Sequence, residues 1–311
     1  MKRIVISEFM DPGAVAHLAA RFEVRYEPGL VAQPELLRQA IAAADALIVR
    51  NATRVDAALV AAAPRLSVVG RLGVGLDNID CVACAARGIE VVPAIGANAR
   101  AVAEYVLAMA LILLRGVFAA TASVADGHWP RRDLMGGSEI GAKTIGLIGF
   151  GNIGRATGTL ARAAGMCAIA YDPGVAAEDS AWGDQDTRRC DLDELLRESD
   201  VVSLHLPLTS GTRGLLDSRR IALLRDDAVL INTSRGGIVD EAALAATLRA
   251  GRLRGAALDV FDAEPLPAGS ALAGCPRLLL TPHVAGLTVE SNRRVCAMIA
   301  DAVATKLSRV A

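Results

Sequence analysis

The sequence predicts an α/β protein built from two doubly wound parallel-sheet domains, and three observations carry that reading. The chain has 311 residues, room for about two domains at roughly 150 residues each. Short apolar runs alternate with helical stretches through the first hundred residues, and the same alternation restarts at Thr144 after one long apolar helix. Strand and helix in strict alternation imply parallel sheets with helices on both faces.

Taken in order, Arg3 to Ile6 is the first strand candidate and Pro12 to Arg21 the first helical stretch. Ala46 to Val49 is followed by Asp56 to Ala63, Leu66 to Gly70 by Ile79 to Arg87, and Glu90 to Val92 closes the set. Runs this short and this apolar suit strands buried on both faces. Residues 98 to 118 form one apolar-rich helix of 21 residues, about 30 Å at 1.5 Å per residue and long enough to bridge two domains. From Thr144 onward come six strand candidates, the first in TIGLIGFGNIG and the others at Met166 to Tyr171, Val201 to Leu204, Ala228 to Asn232, Gly255 to Asp259 and Leu278 to Thr281. Six strands complete a doubly wound nucleotide fold. A helix from about Val289 to Arg309 is then left over, and its natural place is back against the first domain. The expected domains are therefore 1–96 with 286–311, and 97–285.

Composition narrows the class. Hydrophobic residues at 53% and charged residues at 22% are too apolar for disorder and too evenly charged for a membrane protein. Lys2, Lys143 and Lys306 are the only lysines among 33 basic residues, and the formal net charge is −1. That balance gives no footprint for nucleic acid or an anionic membrane, so neither is expected as a partner. The apolar stretch Tyr105 to Ala120 is interrupted by Arg115 and falls short of the roughly 20 residues a bilayer needs. Ser7 and Glu8 break the N-terminal apolar run where a secretory signal would be continuous, which points to the cytoplasm. The cysteines at 81, 84, 167, 190, 275 and 296 are scattered, as reduced thiols are. Cys81 and Cys84 form a CxxC with no second pair or spaced histidines behind it, so it reads as helix and no metal site is expected.

The strongest motif is Gly149-Phe150-Gly151-Asn152-Ile153-Gly154, which follows an apolar strand and opens a helical stretch. In this Rossmann context the first glycine allows the tight turn, the second lets backbone approach a pyrophosphate, and the third lets helix pack on strand. Unpaired N–H groups at a helix start bind the anion. The next strand ends at Asp172, eighteen residues past Gly154, close to the about 20 expected for the acid that holds the ribose hydroxyls. Asp172 would repel a 2′-phosphate, so the expected cofactor is NAD rather than NADP.

Hydride exchange with a 2-hydroxy acid needs a carboxylate clamp, an acid/base for the hydroxyl proton and a group that orients that base. Arg235 follows the strand ending at Asn232, Glu264 follows the one ending at Asp259, and His283 follows the one ending at Thr281. One candidate for each role thus stands at three successive strand ends.

Further segments run in order along the chain: VVGRLGVGLDNID at 68–80, NARAVAEYVLAMAL at 98–111, HLPLT at 205–209, NTSRGGIVDE at 232–241, ALDVFDAEP at 257–265 and PHVAG at 282–286. With these the chain resembles the D-isomer-specific 2-hydroxyacid dehydrogenases, and among them the phosphoglycerate dehydrogenase branch in its short form, without a regulatory domain. The resemblance implies a flavodoxin-like substrate domain and a Rossmann NAD-binding domain with a cleft between them, and a homodimer. It places the family's catalytic arginine, glutamate and histidine on Arg235, Glu264 and His283, and its carboxamide-binding aspartate on Asp259. Asn152 and Ile153 would line the pyrophosphate, Leu206 and Pro207 flank the adenosine, and His205, Thr233 and Gly286 complete the cofactor-binding set. Val74 and Gly75 fall where backbone N–H groups meet the substrate carboxylate. Ala101 stands where the family more often has Ser, which removes a small hydrogen bond at a helix start.

Arg50 and Asn51 match positions that approach a substrate phosphate in this branch, so an acid with a second, distal anionic group is expected. Arg131 and Arg132 resemble a loop that reaches the neighbouring subunit's site. 3-Phosphoglycerate and 3-sulfolactate both remain open. Sulfur outranks oxygen in the priority rules, so one pocket handedness accepts the R form of the first and the S form of the second. Hydroxypyruvate or glyoxylate would leave Arg50 without a partner, and formate oxidation calls for an amide where Glu264 stands. A non-catalytic NAD-sensing scaffold is the reading of a different class, disfavoured by the intact Arg235, Glu264 and His283.

Overall fold

The computed structural model describes residues 1–309 except Gln185; the last two residues expected in the first domain, 310 and 311, lie outside the described residues. The chain divides into two compact units, Met1–Asn98 with the segment from Leu287 onward, and Ala99–Gly286.

The first unit contains β1 (Arg3–Ile6), α1 (Pro12–Ala19), β2 (Glu23–Tyr26), α2 (Pro34–Ile41), β3 (Ala46–Val49), α3 (Ala57–Ala61), β4 (Val68–Arg71), α4 (Cys81–Ala86) and β5 (Glu90–Pro93). All pairs are parallel in the order β2-β1-β3-β4-β5, the flavodoxin-like arrangement. The sequence did not announce β2. Its residues alternate between exposed and half-buried, and Arg3 forks onto Glu23 across the pair, so charge protects an edge strand and erases its apolar signal. Two helices start later than their sequence limits because an aspartate caps them. Asp56 accepts from Leu59 N–H at 2.8 Å and Asp80 from Ala83 N–H at 2.9 Å, each satisfying a donor the first turn leaves unpaired.

The second unit contains α5 (Ala99–Arg115), α6 (Thr121–Ala125), β6 (Thr144–Ile148), α7 (Asn152–Ala163), β7 (Cys167–Tyr171), α8 (Ala181–Asp184), β8 (Arg188–Arg189), α9 (Leu192–Glu198), β9 (Val201–Leu204), α10 (Ser218–Ile221), β10 (Val229–Asn232), α11 (Glu241–Arg249), β11 (Gly255–Leu258) and β12 (Leu278–Leu280). Its seven-stranded parallel sheet runs β12-β11-β10-β9-β6-β7-β8, the classic dinucleotide order extended by one strand, with the switch point between β6 and β9. The strand beyond the six expected is β8, two exposed arginines at the sheet edge. The helix expected over 98–118 is shorter: Gly116 takes φ +67° and ends α5 at Arg115. All of α5 belongs to the second unit, where Val102, Val106, Ala110, Leu113 and Leu114 pack with Ile145, Val229, Ile231 and Ala257.

The last helix, α12 (Val289–Arg309), returns to the first unit. Val295, Ile299, Val303 and Leu307 are buried with Ile4, Ile6 and Ile48, each such side chain contributing about 1.5–3 kcal/mol. No single described helix is long and apolar enough to cross a membrane. Cys81 and Cys84 lie on α4, all six cysteines are free, and among the described residues no cluster of ligands suits a metal ion.

Candidate active site

The glycine-rich turn stands at the switch point of the second sheet. Gly149 has φ +100°, and a Cβ there would lie 2.3 Å from the His205 carbonyl oxygen; at Gly154 it would lie 2.2 Å from that of Gly149. Both positions are closed to any side chain. Gly151 is different: a Cβ would meet nothing within 4 Å, so the space beside it is open. Gly151 is also the N-cap of α7, with no side chain to bond the first turn, which begins at Asn152 and Ile153. An anion thus has both room and aligned N–H donors. Asp172, just past β7, accepts from Phe150 N–H at 2.7 Å and from Gly174 N–H at 2.8 Å, fixing its carboxylate beside the turn.

Buried polar atoms without partners mark the same edge. Both ring nitrogens of His205, after β9, and the Thr233 hydroxyl, after β10, are buried and unbonded. Such groups are rare in a finished core and call for a ligand. Burial pushes the His205 ring down to about 3, so it is neutral at working pH and cannot serve as the proton donor. Leu206 N–H is tied to the Ser234 hydroxyl at 3.1 Å, and Pro207 beside it is exposed. Gly286 ends the unit.

His283 and Glu264 meet directly. His283 Nδ1 lies 2.8 Å from Glu264 Oε2, while Glu264 Oε1 accepts from Phe261 N–H at 3.1 Å. A carboxylate only accepts, so Nδ1 carries the proton and Nε2 is left for substrate. The His283 side chain is 48% exposed and can be reached. Its backbone is in the left-handed region, φ +56°, a conformation that persists where the surroundings over-determine it. Here they do: His283 N–H donates to the carbonyls of Asp259 and Thr281, at 2.8 and 3.0 Å. Asp259, 1% exposed, accepts on Oδ1 from Thr281 Oγ1 at 2.6 Å and Val284 N–H at 2.8 Å, and on Oδ2 from Ala285 N–H at 2.8 Å. Oδ2 retains capacity for one more donor.

Arg235 sits in a turn shaped by Asn232, whose side chain donates to the Arg235 carbonyl at 3.0 Å and accepts from Ser234 N–H at 3.0 Å. That turn is locked to the Glu264 loop, because Asp262 Oδ1 accepts from Gly237 N–H at 2.5 Å. The sequence reading missed Asp262; its only signal was its place between strand end and Glu264.

Of the remaining expected residues, Arg50, Asn51, Val74 and Gly75 lie on the first unit, in the loops that follow β3 and β4. Buried Glu8 holds the loop after β3, accepting from the N–H groups of Arg50, Ala52 and Thr53 at 2.8, 3.1 and 2.9 Å. Arg50 Nη1 donates to Asn292 Oδ1 at 2.9 Å, and its guanidinium lies 6.0 Å from the Phe9 ring centroid. Asn51 is exposed and Val74 and Gly75 are half-buried. Arg71, which the sequence reading passed over, pairs in register with Val49, and its Nη1 donates to the Leu72 carbonyl at 2.8 Å.

Residues 107–285 match the family described as D-isomer specific 2-hydroxyacid dehydrogenase, NAD binding domain. The chain belongs to this family. It is 50% identical over 304 residues to an (S)-sulfolactate dehydrogenase of Chromohalobacter salexigens, covering 97% of each protein. It is 39% identical to a D-3-phosphoglycerate dehydrogenase of Mycobacterium tuberculosis, over 98% of this chain but 57% of that enzyme's length. A D-lactate dehydrogenase of Aquifex aeolicus, solved with NAD and lactic acid, superposes with a TM-score of 0.83 at 27% identity, over 99% of this chain and 96% of that one. This D-2-hydroxyacid dehydrogenase is an NAD-dependent oxidoreductase. When bound, NAD supplies the hydride acceptor or donor.

The open space at Gly151 gives a test of the cofactor fit. Its φ of −76° suits alanine, so Gly151→Ala is expected to keep the melting temperature while weakening NADH binding by roughly tenfold or more, since the added methyl occupies the pyrophosphate's approach. Fluorescence titration beside a thermal melt decides it. Undiminished NADH affinity would place the pyrophosphate elsewhere.

Proposed function

We propose that this dehydrogenase interconverts a D-configured 2-hydroxy acid carrying a distal anionic group with its 2-oxo acid, and that the acid is (S)-sulfolactate. The observation that carries this is Arg50, whose guanidinium at the end of β3 is oriented by Asn292 and Phe9. A guanidinium suits a tetrahedral anion of the sulfonate or phosphate kind. The full-length similarity to a sulfolactate dehydrogenase favours the sulfonate. 3-Phosphoglycerate is the second reading, favoured by the same handedness and by the 39% relative.

In this reading Arg235 clamps the substrate carboxylate, helped by the backbone N–H groups of Val74 and Gly75. His283 Nε2 takes the C2 hydroxyl proton during oxidation and returns it during reduction, and Glu264 fixes the tautomer and steadies the imidazolium. Gly149, Gly151, Asn152, Ile153 and Gly154 cradle the pyrophosphate, and Asp172 holds the ribose hydroxyls. Leu206 and Pro207 flank the adenosine, His205, Thr233 and Gly286 complete the cofactor-binding set, and Asp259 accepts from the carboxamide. The first unit is the substrate domain.

Kinetics with sulfolactate, 3-phosphoglycerate, hydroxypyruvate and lactate test the choice. Arg50→Ala is expected to raise KM for the anionic substrate by about 10- to 150-fold, the loss of a charged hydrogen bond of ~1.5–3 kcal/mol, and to leave lactate nearly unchanged. Equal losses on both would make Arg50 structural.

We also propose a cytoplasmic homodimer. Phe118, Val124, Trp129 and Met135 are exposed between α5 and β6, an apolar display that monomers avoid; Arg131 and Arg132, exposed in the same segment, would add charge to the partner's site. Sedimentation equilibrium at micromolar concentration is expected to give twice the chain mass, and a monomer would refute it.

A further inference from the structure

Tyr105 lies on α5, which carries none of the residues assigned a role above, yet its phenol oxygen is 2.6 Å from the Thr281 hydroxyl. Thr281 Oγ1 is in turn 2.6 Å from Asp259 Oδ1. A hydroxyl has one proton. Beside a carboxylate whose oxygens also face the N–H groups of Val284 and Ala285, Thr281 gives that proton to Asp259. Tyr105 must then be the donor to Thr281, and the chain of bonds runs in one direction, from Tyr105 through Thr281 to Asp259. Burial raises the Tyr105 phenol above its ordinary range, which keeps the donated proton in place at working pH.

Asp259 is the post on which the histidine loop hangs. Its carbonyl holds His283 N–H and its carboxylate holds the next two N–H groups, across a residue whose φ of +56° has to be enforced. The post is fixed on one side by β11 and on the other by the Thr281 hydroxyl, which α5 orients through Tyr105.

We propose that Tyr105 and Thr281 are positioning residues for hydride transfer, acting through Asp259 to keep the 283–285 loop, and with it the His283 ring, in line with Glu264. The inference rests on His283 as the acid/base. It assigns a function to a helix outside the nucleotide-binding strand ends, and it separates Thr281 from a merely space-filling residue, because valine has its shape without its proton.

The test uses the whole enzyme and the substrate it turns over fastest, with Tyr105→Phe, Thr281→Val, Thr281→Ser, the Tyr105→Phe/Thr281→Val double variant, and His283→Ala as the control. Tyr105→Phe is expected to lower kcat by about 3- to 10-fold and Thr281→Val by about 10- to 100-fold, the ranges for a neutral and a charge-assisted hydrogen bond. NADH should still bind, since the pyrophosphate contacts are untouched, with at most a several-fold loss from the Asp259 carboxylate proposed to meet its carboxamide. Thr281→Ser should recover nearly all activity. In the double variant Tyr105→Phe should add nothing, because the hydroxyl it works through is gone. Unchanged kcat in Tyr105→Phe, additive losses in the double variant, or a Thr281→Ser enzyme as slow as Thr281→Val would overturn the proposal. If Thr281→Val proves insoluble, Tyr105→Phe against Thr281→Ser at matched melting temperature still decides it. Full turnover in His283→Ala would remove the underlying acid/base assignment; a dead His283→Ala beside an unaltered Tyr105→Phe would remove the positioning proposal alone.

Discussion

His283→Ala is expected to lower kcat by about 100- to 10,000-fold, the range for losing a positioned general acid/base, while NADH binding is retained. The geometry explains why the loss should be this large. Of the four histidines, His205 is held neutral by burial, His17 pairs with exposed Asp301 on the first unit, and exposed His128 has no place at a strand end. His283 alone combines exposure with a carboxylate on Nδ1. With His283 as the proposed acid/base, oxidation requires the neutral ring and reduction the charged one, so acidification should favour reduction and suppress oxidation. Glu264→Gln should cost less than the alanine variant, because a hydrogen-bond acceptor for Nδ1 remains. Single-turnover kinetics in both directions across the pH range measure this. A His283→Ala enzyme with near-normal kcat, or coincident pH profiles, would put the proton on another residue.

What the sequence made legible was whatever is written in local pattern. Buried parallel strands such as Ala46–Val49 and Val201–Leu204 are continuous apolar runs, and their limits were readable to the residue. The glycine turn was readable because each glycine answers a separate steric demand. Edge strands β2 and β8 were not, since the charges that protect an edge remove the apolar signature of a strand. The end of α5 was misread because apolar residues continue past Gly116, and only the left-handed backbone there stops the helix. In the candidate site, strand-end position singled out Arg235, Glu264 and His283, but not what holds them. Asp262, Glu8 and Thr281 act through hydrogen bonds to backbone N–H groups or to another side chain far along the chain, and nothing in their immediate sequence separates them from ordinary polar loop residues.

Gly236→Ala is expected to cut kcat/KM by about 100-fold through spacing alone. A Cβ at Gly236 would lie 1.9 Å from the Phe261 carbonyl oxygen and 2.5 Å from Asp262 N. These are backbone atoms, so no side-chain rotation relieves the clash, and one of the two loops has to move by over about 1 Å. The loop carrying Gly236 holds Arg235, and the loop carrying Phe261 holds Glu264, which bonds His283. The substitution therefore pries Arg235, the proposed carboxylate clamp, away from His283 and Glu264, the proposed acid/base pair, without touching either, and a misplacement of that size is worth about 100-fold in rate. Stability should fall by only about 1–3 kcal/mol, the usual cost of overpacking, and NADH should still bind through the glycine turn after β6, with a weaker hold where Thr233 shares the displaced loop. Asp262→Ala serves as the milder partner: it removes the bond to Gly237 N–H but inserts nothing between the loops, so its loss should be several-fold. Melting temperature, NADH titration and kcat/KM on both variants test the argument together. A Gly236→Ala enzyme that is folded and fully active would mean that the contact between these two loops does not set the spacing of Arg235 and Glu264.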